Sequence, residues 1–232
     1  MRVKFGFPEN TTRHGVLLNM LIAFLSLFVN GFGVYLTIHA DIGSGPWDVL
    51  NLGISGSTGM IYGNASILVS LLVLCMDILM KEPIGVAMII DSLTVGKSVD
   101  FFNWIHVIPA PKNLPDSILM LLFGLTVMGV TQFFYMRASI GCGPRDTLIV
   151  GLTRHIKVLP IAVITIMLQG FVTLIGWLLG GPVGIGTILC AFCGGPIMQL
   201  AFLCFRFDAT KVKHQNIIET VKLFAERSKR TA

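Results

Sequence analysis

Charge is what this chain lacks most. Only 12% of its 232 residues are Asp, Glu, Lys or Arg, 54% are hydrophobic, and the mean hydropathy is +0.81. Soluble domains carry roughly 25% charged residues. So little polar surface cannot close a water-facing globule, which excludes an ordinary soluble domain and points to a membrane protein. The five cysteines, Cys75, Cys142, Cys190, Cys193 and Cys204, lie mostly inside apolar runs, as buried thiols do and disulfide frameworks do not. Cys190 and Cys193 have the spacing of a redox or zinc pair but no second ligand pair nearby, so no metal or other cofactor is expected. The basic residues sit in short polar islands and in the tail, which excludes a nucleic-acid-binding face. Gly-x-Ser-x-Gly, His-Glu-x-x-His and phosphate-binding glycine loops are missing, and neither catalytic residues nor an enzyme activity is expected.

What is present is a series of apolar runs. Hydrocarbon roughly 30 Å thick needs about 20 helical residues. Six runs meet that need: 15–38, 62–80, 84–104, 117–136, 158–179 and 183–205. The third is interrupted by Asp91, Lys97 and Asp100. The first follows a basic stretch but is long enough to span and lacks a small-x-small cleavage site, so it reads as a retained helix. Basic residues mark the cytoplasmic side. With the N-terminus inside, the inner segments hold Arg2, Lys4, Arg13, Lys81, Arg137, Arg145, Arg154, Lys157 and the basic tail, and the outer ones hold only Lys112. Both termini are therefore expected in the cytoplasm of a bacterial cell, with the chain crossing the plasma membrane six times.

The chain also repeats itself. Positions 31–54, slid onto 129–152, match at Gly31, Ala40, Ile42, Gly43, Gly45, Pro46, Asp48, Leu50 and Gly53. One residue further in register, Pro83-Ile-Gly85 meets Pro182-Val-Gly184 and Gly96 meets Gly195. Each copy covers three spans, and an odd number of spans inserts the second copy upside down, the inverted repeat of many secondary transporters. The expected organisation is a cytoplasmic segment 1–14, a three-span repeat 15–104, an external linker 105–116, a second three-span repeat 117–205 and a basic tail helix 206–232. His39 and Trp47 in the first copy stand where Arg137 and Arg145 stand in the second, a difference expected if the two copies face opposite sides.

The shared core, Gly43, Gly45, Pro46 and Asp48 against Gly141, Gly143, Pro144 and Asp146, spells a turn and a helix start. Glycine permits the sharp turn, proline suits the first helical position, and aspartate in the first turn opposes the positive helix end. Two short helices, 46–55 and 144–154, are expected; the first is too short and polar to span and lies at the interface or dips into the bundle. Asp48 and Asp146 either start these helices only, or also contact a solute through paired helix ends facing a cavity.

Charges within spans are costly and normally face protein or water. Asp91, Lys97 and Asp100 can share one broad helix face and line a pathway, or the helix ends before Lys97. Asp77 is expected to reach the interface near the inner end of the second span. Asn30, Asn64, Gln132, Gln169 and Gln199 read as interhelical hydrogen-bonding groups. In the tail, Ile217, Ile218, Val221 and Phe224 form an apolar stripe, and seven Lys/Arg against three Asp/Glu favour anionic headgroups.

Several strings resemble the YczE/YyaS/YitT family of bacterial integral membrane proteins. They are Gly33-Val-Tyr-Leu, Ala40-Asp-Ile-Gly-Ser-Gly-Pro-Trp-Asp-Val-Leu50, Gly59-Met-Ile-Tyr-Gly-Asn-Ala-Ser-Ile-Leu68, Gly184-Ile-Gly-Thr-Ile-Leu189 and Gly194-Gly-Pro-Ile197. The resemblance covers nearly all of the apolar region and is closest to the shorter YczE-like branch, without the soluble C-terminal domain of YitT-like members. The family's Gly-Pro-x-Ile-Asp pattern reads Gly96-Lys-Ser-Val-Asp100 here, so Asp100 matches and Lys97 departs. The resemblance supplies no substrate. The inverted repeat leads to the expectation of a small transporter or carrier in contact with lipid and an unidentified small solute. The alternative is a non-transporting scaffold for another complex, and a second copy of the chain or another membrane protein stays open as partner.

Overall fold

The computed structural model describes residues 10–208, 212 and 214–226; the sequence readings on 1–9, 209–211, 213 and 227–232 lie outside them. Among the described residues the chain is all-helical: α1 (Arg13–His39), α2 (Pro46–Thr58), α3 (Tyr62–Leu79), α4 (Val86–Trp104), α5 (Leu114–Arg137), α6 (Pro144–His155), α7 (Ile161–Leu178), α8 (Ile185–Cys204) and α9 (Ile217–Glu226). Five of these, α1, α3, α5, α7 and α8, are long and apolar enough to cross a membrane. The sixth expected span, α4, is not among them, because its 19 residues carry Asp91, Lys97 and Asp100. The short helices run slightly further than expected, α2 to a left-handed Gly59 and α6 to His155. At 1.5 Å per residue they are only about 20 and 18 Å long, well short of the hydrocarbon thickness.

The centre of the bundle is the crossing of α1 and α5, made close by small residues. A Cβ on Gly33 would lie 2.8 Å from the Gly124 carbonyl oxygen, and one on Gly124 would lie 2.7 Å from that of Gly33. Asn30 Nδ2 donates across the same crossing to Thr131 Oγ1 at 2.9 Å. In hydrocarbon, close backbone approach and such hydrogen bonds hold helices together, since lipid is as apolar as the side chains. The outer helices are arranged in kind. Gly31 seats α1 on α4 beside Val95 and Ser98, and Gly129 seats α5 on α8 beside Met198. The short helices cross over: α2 packs on α7 and α6 on α3. One correspondence fails. α3 packs along α4, whereas α7 and α8 stand apart and leave a groove between them.

The expected tail helix 206–232 is replaced, within the described residues, by the ten residues of α9. Asn216 starts it, with Asn216 N–H donating to Glu219 Oε2 at 3.2 Å. The tail docks on its own chain. Gln215 N–H donates to the Ser139 carbonyl and Ile217 N–H to that of Ile84, both at 2.8 Å. Asn10 Nδ2 donates to the Ala138 and Ser139 carbonyls, and the Arg13 guanidinium to those of Leu223 and Phe224 at the negative end of α9. Four segments read as cytoplasmic from their charge thus gather at one end of the bundle. Ile218 and Val221 of the apolar stripe point outward, 58% and 60% exposed.

Candidate functional site: two helix starts that meet

The repeated string makes the same turn twice. Ala40 and Ala138 end their helices at identical angles, φ −61° and ψ −21°. Asp41 and Ser139 follow in the left-handed region at φ 53° and 58°, then Gly43 and Gly141 at φ 100° and 129°. That last conformation is open to glycine at no steric cost. Each glycine also touches the far half. A Cβ on Gly43 would lie 2.5 Å from Gly184 N, and one on Gly141 would lie 2.7 Å from Gly85 Cα. Beside them Gly186 N–H donates to the Ile42 carbonyl at 2.7 Å, and Ala87 N–H to that of Ile140 at 3.1 Å. Each copy of the turn is therefore braced by the start of the other half's last helix.

Gly45 and Gly143 cap the short helices, with Pro46 and Pro144 in the first turn. The carboxylates two residues on do not bond their own helix ends among the described residues. Asp48, 7% exposed, accepts from Tyr62 Oη at 2.7 Å, and Asn51 Nδ2 donates to the same hydroxyl at 3.3 Å. Asp146 accepts from Gln132 Nε2 at 3.3 Å. Between the two copies lies a contact that corrects the expected sidedness of the Trp-for-Arg difference. The Arg145 guanidinium sits over the Trp47 ring, 5.0 Å from its centroid. The two side chains meet because both turns send their helices inward. The Arg145 charge acts on three carboxylates, Asp48, Asp91 and Asp146.

The three charges of α4 do not act as one face. Asp91 joins the cluster: its Oδ2 lies 2.5 Å from where a Cβ on Gly143 would sit, and Tyr135 Oη lies 3.8 Å from the same point. Lys97 and Asp100 sit elsewhere. Lys97 Nζ donates to Asn64 Oδ1 at 2.7 Å and lies 3.7 Å from Asp100 Oδ2, while Asp100 Oδ1 accepts from Gly63 N–H at 2.9 Å. These contacts tie α4 to α3, and Lys97 is exposed. Asp77 corrects another expectation. It is fully buried beside Glu82, with neither carboxylate oxygen hydrogen-bonded among the described residues. The Glu82 side chain instead accepts from Arg154 at 2.9 Å. Among the described residues no three His, Cys, Asp or Glu side chains are placed to hold a metal ion.

Sequence reasoning overlooked Arg145, Trp47, Tyr62 and Tyr135 as members of this cluster. The signal for the first two was their shared position between Pro and Asp of the repeated string; no spacing announced the tyrosines. Beside the cluster opens the groove between α7 and α8, about 620 Å³ and lined almost wholly by apolar groups. Pro46, the first residue of α2, and Thr187 are among its lining residues.

A family model described as a family of unknown function, DUF6198, matches residues 17–202. An uncharacterized protein of Haemophilus influenzae is 30% identical over 178 residues, 77% of this chain and 80% of its own. The uncharacterized membrane protein YczE of Bacillus subtilis is 28% identical over 80% of this chain and 86% of its own. The uncharacterized protein YyaS of the same organism is 25% identical over 76% and 88%. No solved structure matches the chain.

Proposed function

The chain belongs to DUF6198, the family of YczE-like and YyaS-like membrane proteins, and we propose that this multi-pass membrane protein is a small carrier, not an enzyme, built from two inverted repeats. In this reading α4 is a sixth span that keeps its charges against α3 and α6, both termini face the cytoplasm, and the membrane is the bacterial plasma membrane. The reciprocal bracing of the two turns supports an inverted pair, because each half lends the other the same contact.

One observation carries the carrier reading. The first turns of α2 and α6 meet within an apolar bundle and bring Asp48, Asp91, Asp146 and Arg145 together there. Charges at membrane depth cost about 3 kcal/mol each, and paired broken-helix ends at the midplane are where carriers hold their solutes. A packing device alone needs no such cluster. The test is uptake into proteoliposomes from a bacterial metabolite extract, read by mass spectrometry. Wild-type protein is expected to accumulate a defined set of solutes that the Asp48→Asn/Asp146→Asn variant does not. Identical profiles for both proteins and for empty vesicles sink the proposal.

A further inference from the structure

We infer that α9 is an in-plane surface helix that seats on anionic lipid, with Ile218, Val221 and Ala225 at the headgroup–acyl boundary and Lys222 among the phosphates. The inference is independent of the carrier reading, and either can fail alone.

The first observation is where α9 sits. Both of its ends are pinned at the ends of longer helices. At its start, Gln215 N–H donates to the Ser139 carbonyl, two residues past the end of α5, and Ile217 N–H to that of Ile84, two residues before α4 begins. At its far end, the guanidinium of Arg13, the first residue of α1, donates to the Leu223 and Phe224 carbonyls. The same guanidinium lies over the Phe224 ring, 5.4 Å from its centroid. α9 therefore lies across one end of the bundle, at the level where α1 begins. It also lies at the rim. Arg13 heads a column of α1 side chains at four-residue steps, Leu17, Leu21 and Leu25, which share one helix face. Those leucines are 52–54% exposed. On a helix long and apolar enough to cross a membrane, such leucines meet lipid. The end of α9 held by Arg13 thus overhangs lipid.

The second observation is the outward face. Thr220 is buried against the chain, and Leu223 and Phe224 are half-buried. Val221, Ala225 and Ile218 are exposed and lie within an arc of about 60°, counted at 100° per residue. Exposed Lys222 borders that arc, about 40° beyond Ile218. An apolar arc with a lysine at its edge suits the interface, where the stem lies along acyl chains and the ammonium reaches the phosphates. The third observation is charge. From Arg206 onward the sequence holds seven Lys/Arg against three Asp/Glu. Each basic residue near an anionic surface strengthens binding roughly fivefold. A second copy would set the same positive tail against itself, so charge favours anionic lipid as the occupant.

Full-length protein in nanodiscs tests this. In a cysteine-free background, Val221→Cys and Glu219→Cys carry the same bimane label. It is read against two quenchers, a spin-labelled lipid with doxyl high on the acyl chain, and aqueous iodide. The spin-labelled lipid should quench at 221 at least about threefold more than at 219, and iodide should show the reverse order. Unlabelled wild-type protein gives a second reading. Chymotrypsin should cut at Leu223 and Phe224 about tenfold more slowly in nanodiscs with about 30% phosphatidylglycerol than in phosphatidylcholine alone, and about 0.5 M salt should remove the protection. Lys222→Gln should lose about fivefold of that protection. Equal iodide quenching at both positions puts the apolar arc in water. A label at 221 shielded from both quenchers puts protein on it, a second copy included. Equal cleavage rates in the two nanodiscs remove the role of anionic lipid. Any one of these results overturns the inference.

Discussion

Arg145 is the only cation in a cluster of three carboxylates, and it has no carboxylate oxygen within 4 Å among the described residues. Its hold is the cation–π contact with Trp47 and the summed field of Asp48, Asp91 and Asp146. Arg145→Met should destabilise the protein by about 3–5 kcal/mol, the cost of leaving buried charge uncompensated. Arg145→Lys should keep the fold with a lower Tm, because a compact, more strongly hydrated ammonium replaces the guanidinium over the Trp47 ring. Thermal unfolding of the detergent-purified variants, followed by fluorescence-detected size exclusion, measures both. Asp77 predicts the opposite sign. Among the described residues its carboxylate is buried, unbonded and next to Glu82, so Asp77→Asn removes a like charge at constant volume. A rise in Tm of a few degrees is expected, equivalent to about 1 kcal/mol; a fall would assign Asp77 a partner role instead.

At the scale of elements, glycines divide into those that bear a crossing and those that border space. Gly124→Leu should abolish the α1–α5 crossing and yield aggregated or degraded protein, because its Cβ would meet backbone at 2.7 Å. Gly195→Leu, on α8 with nothing within 4 Å, should express and elute like wild type. The tail adds a pH dependence. Burial holds the His214 imidazole below its ordinary value of 6.5, so the docked state favours the neutral ring. A freed tail binds the proton more readily, so docking is strongest above about pH 7 and is lost progressively as pH falls through the ordinary value. Proteolysis with a protease active across pH 5.5–8 should cut near His214 faster at the acid end, and His214→Phe should flatten that profile.

At the scale of the whole molecule, the proposed topology predicts sidedness. In a cysteine-free background, Lys112→Cys should label with an impermeant maleimide on intact cells, and Lys157→Cys only after permeabilisation. The reverse pattern would invert the charge-based orientation. The apolar runs, the duplicated turn and the helix starts were legible in the sequence, since each rests on local rules of hydropathy, glycine conformation and proline position. Two features were not. The failure of α7 and α8 to close like α3 and α4 depends on which packing contacts each half makes, and Gln199 and Pro196 in place of Asp100 and Lys97 announce only that the halves differ. The meeting of Trp47 and Arg145 is also invisible at 98 residues' separation, and charge counting assigned them to opposite faces.

By itself, then, the sequence determined that this chain lives in a membrane, which runs form helices and that one turn is made twice. Those properties follow from transfer of apolar side chains out of water and from backbone sterics within a few residues. Tertiary structure decided what the two turns bring together. Only the crossing of α2 onto α7 and of α6 onto α3 brings three carboxylates and one guanidinium together beside an open groove. Electrostatic fields and cavities depend on distances between residues far apart in the chain, which no local pattern encodes.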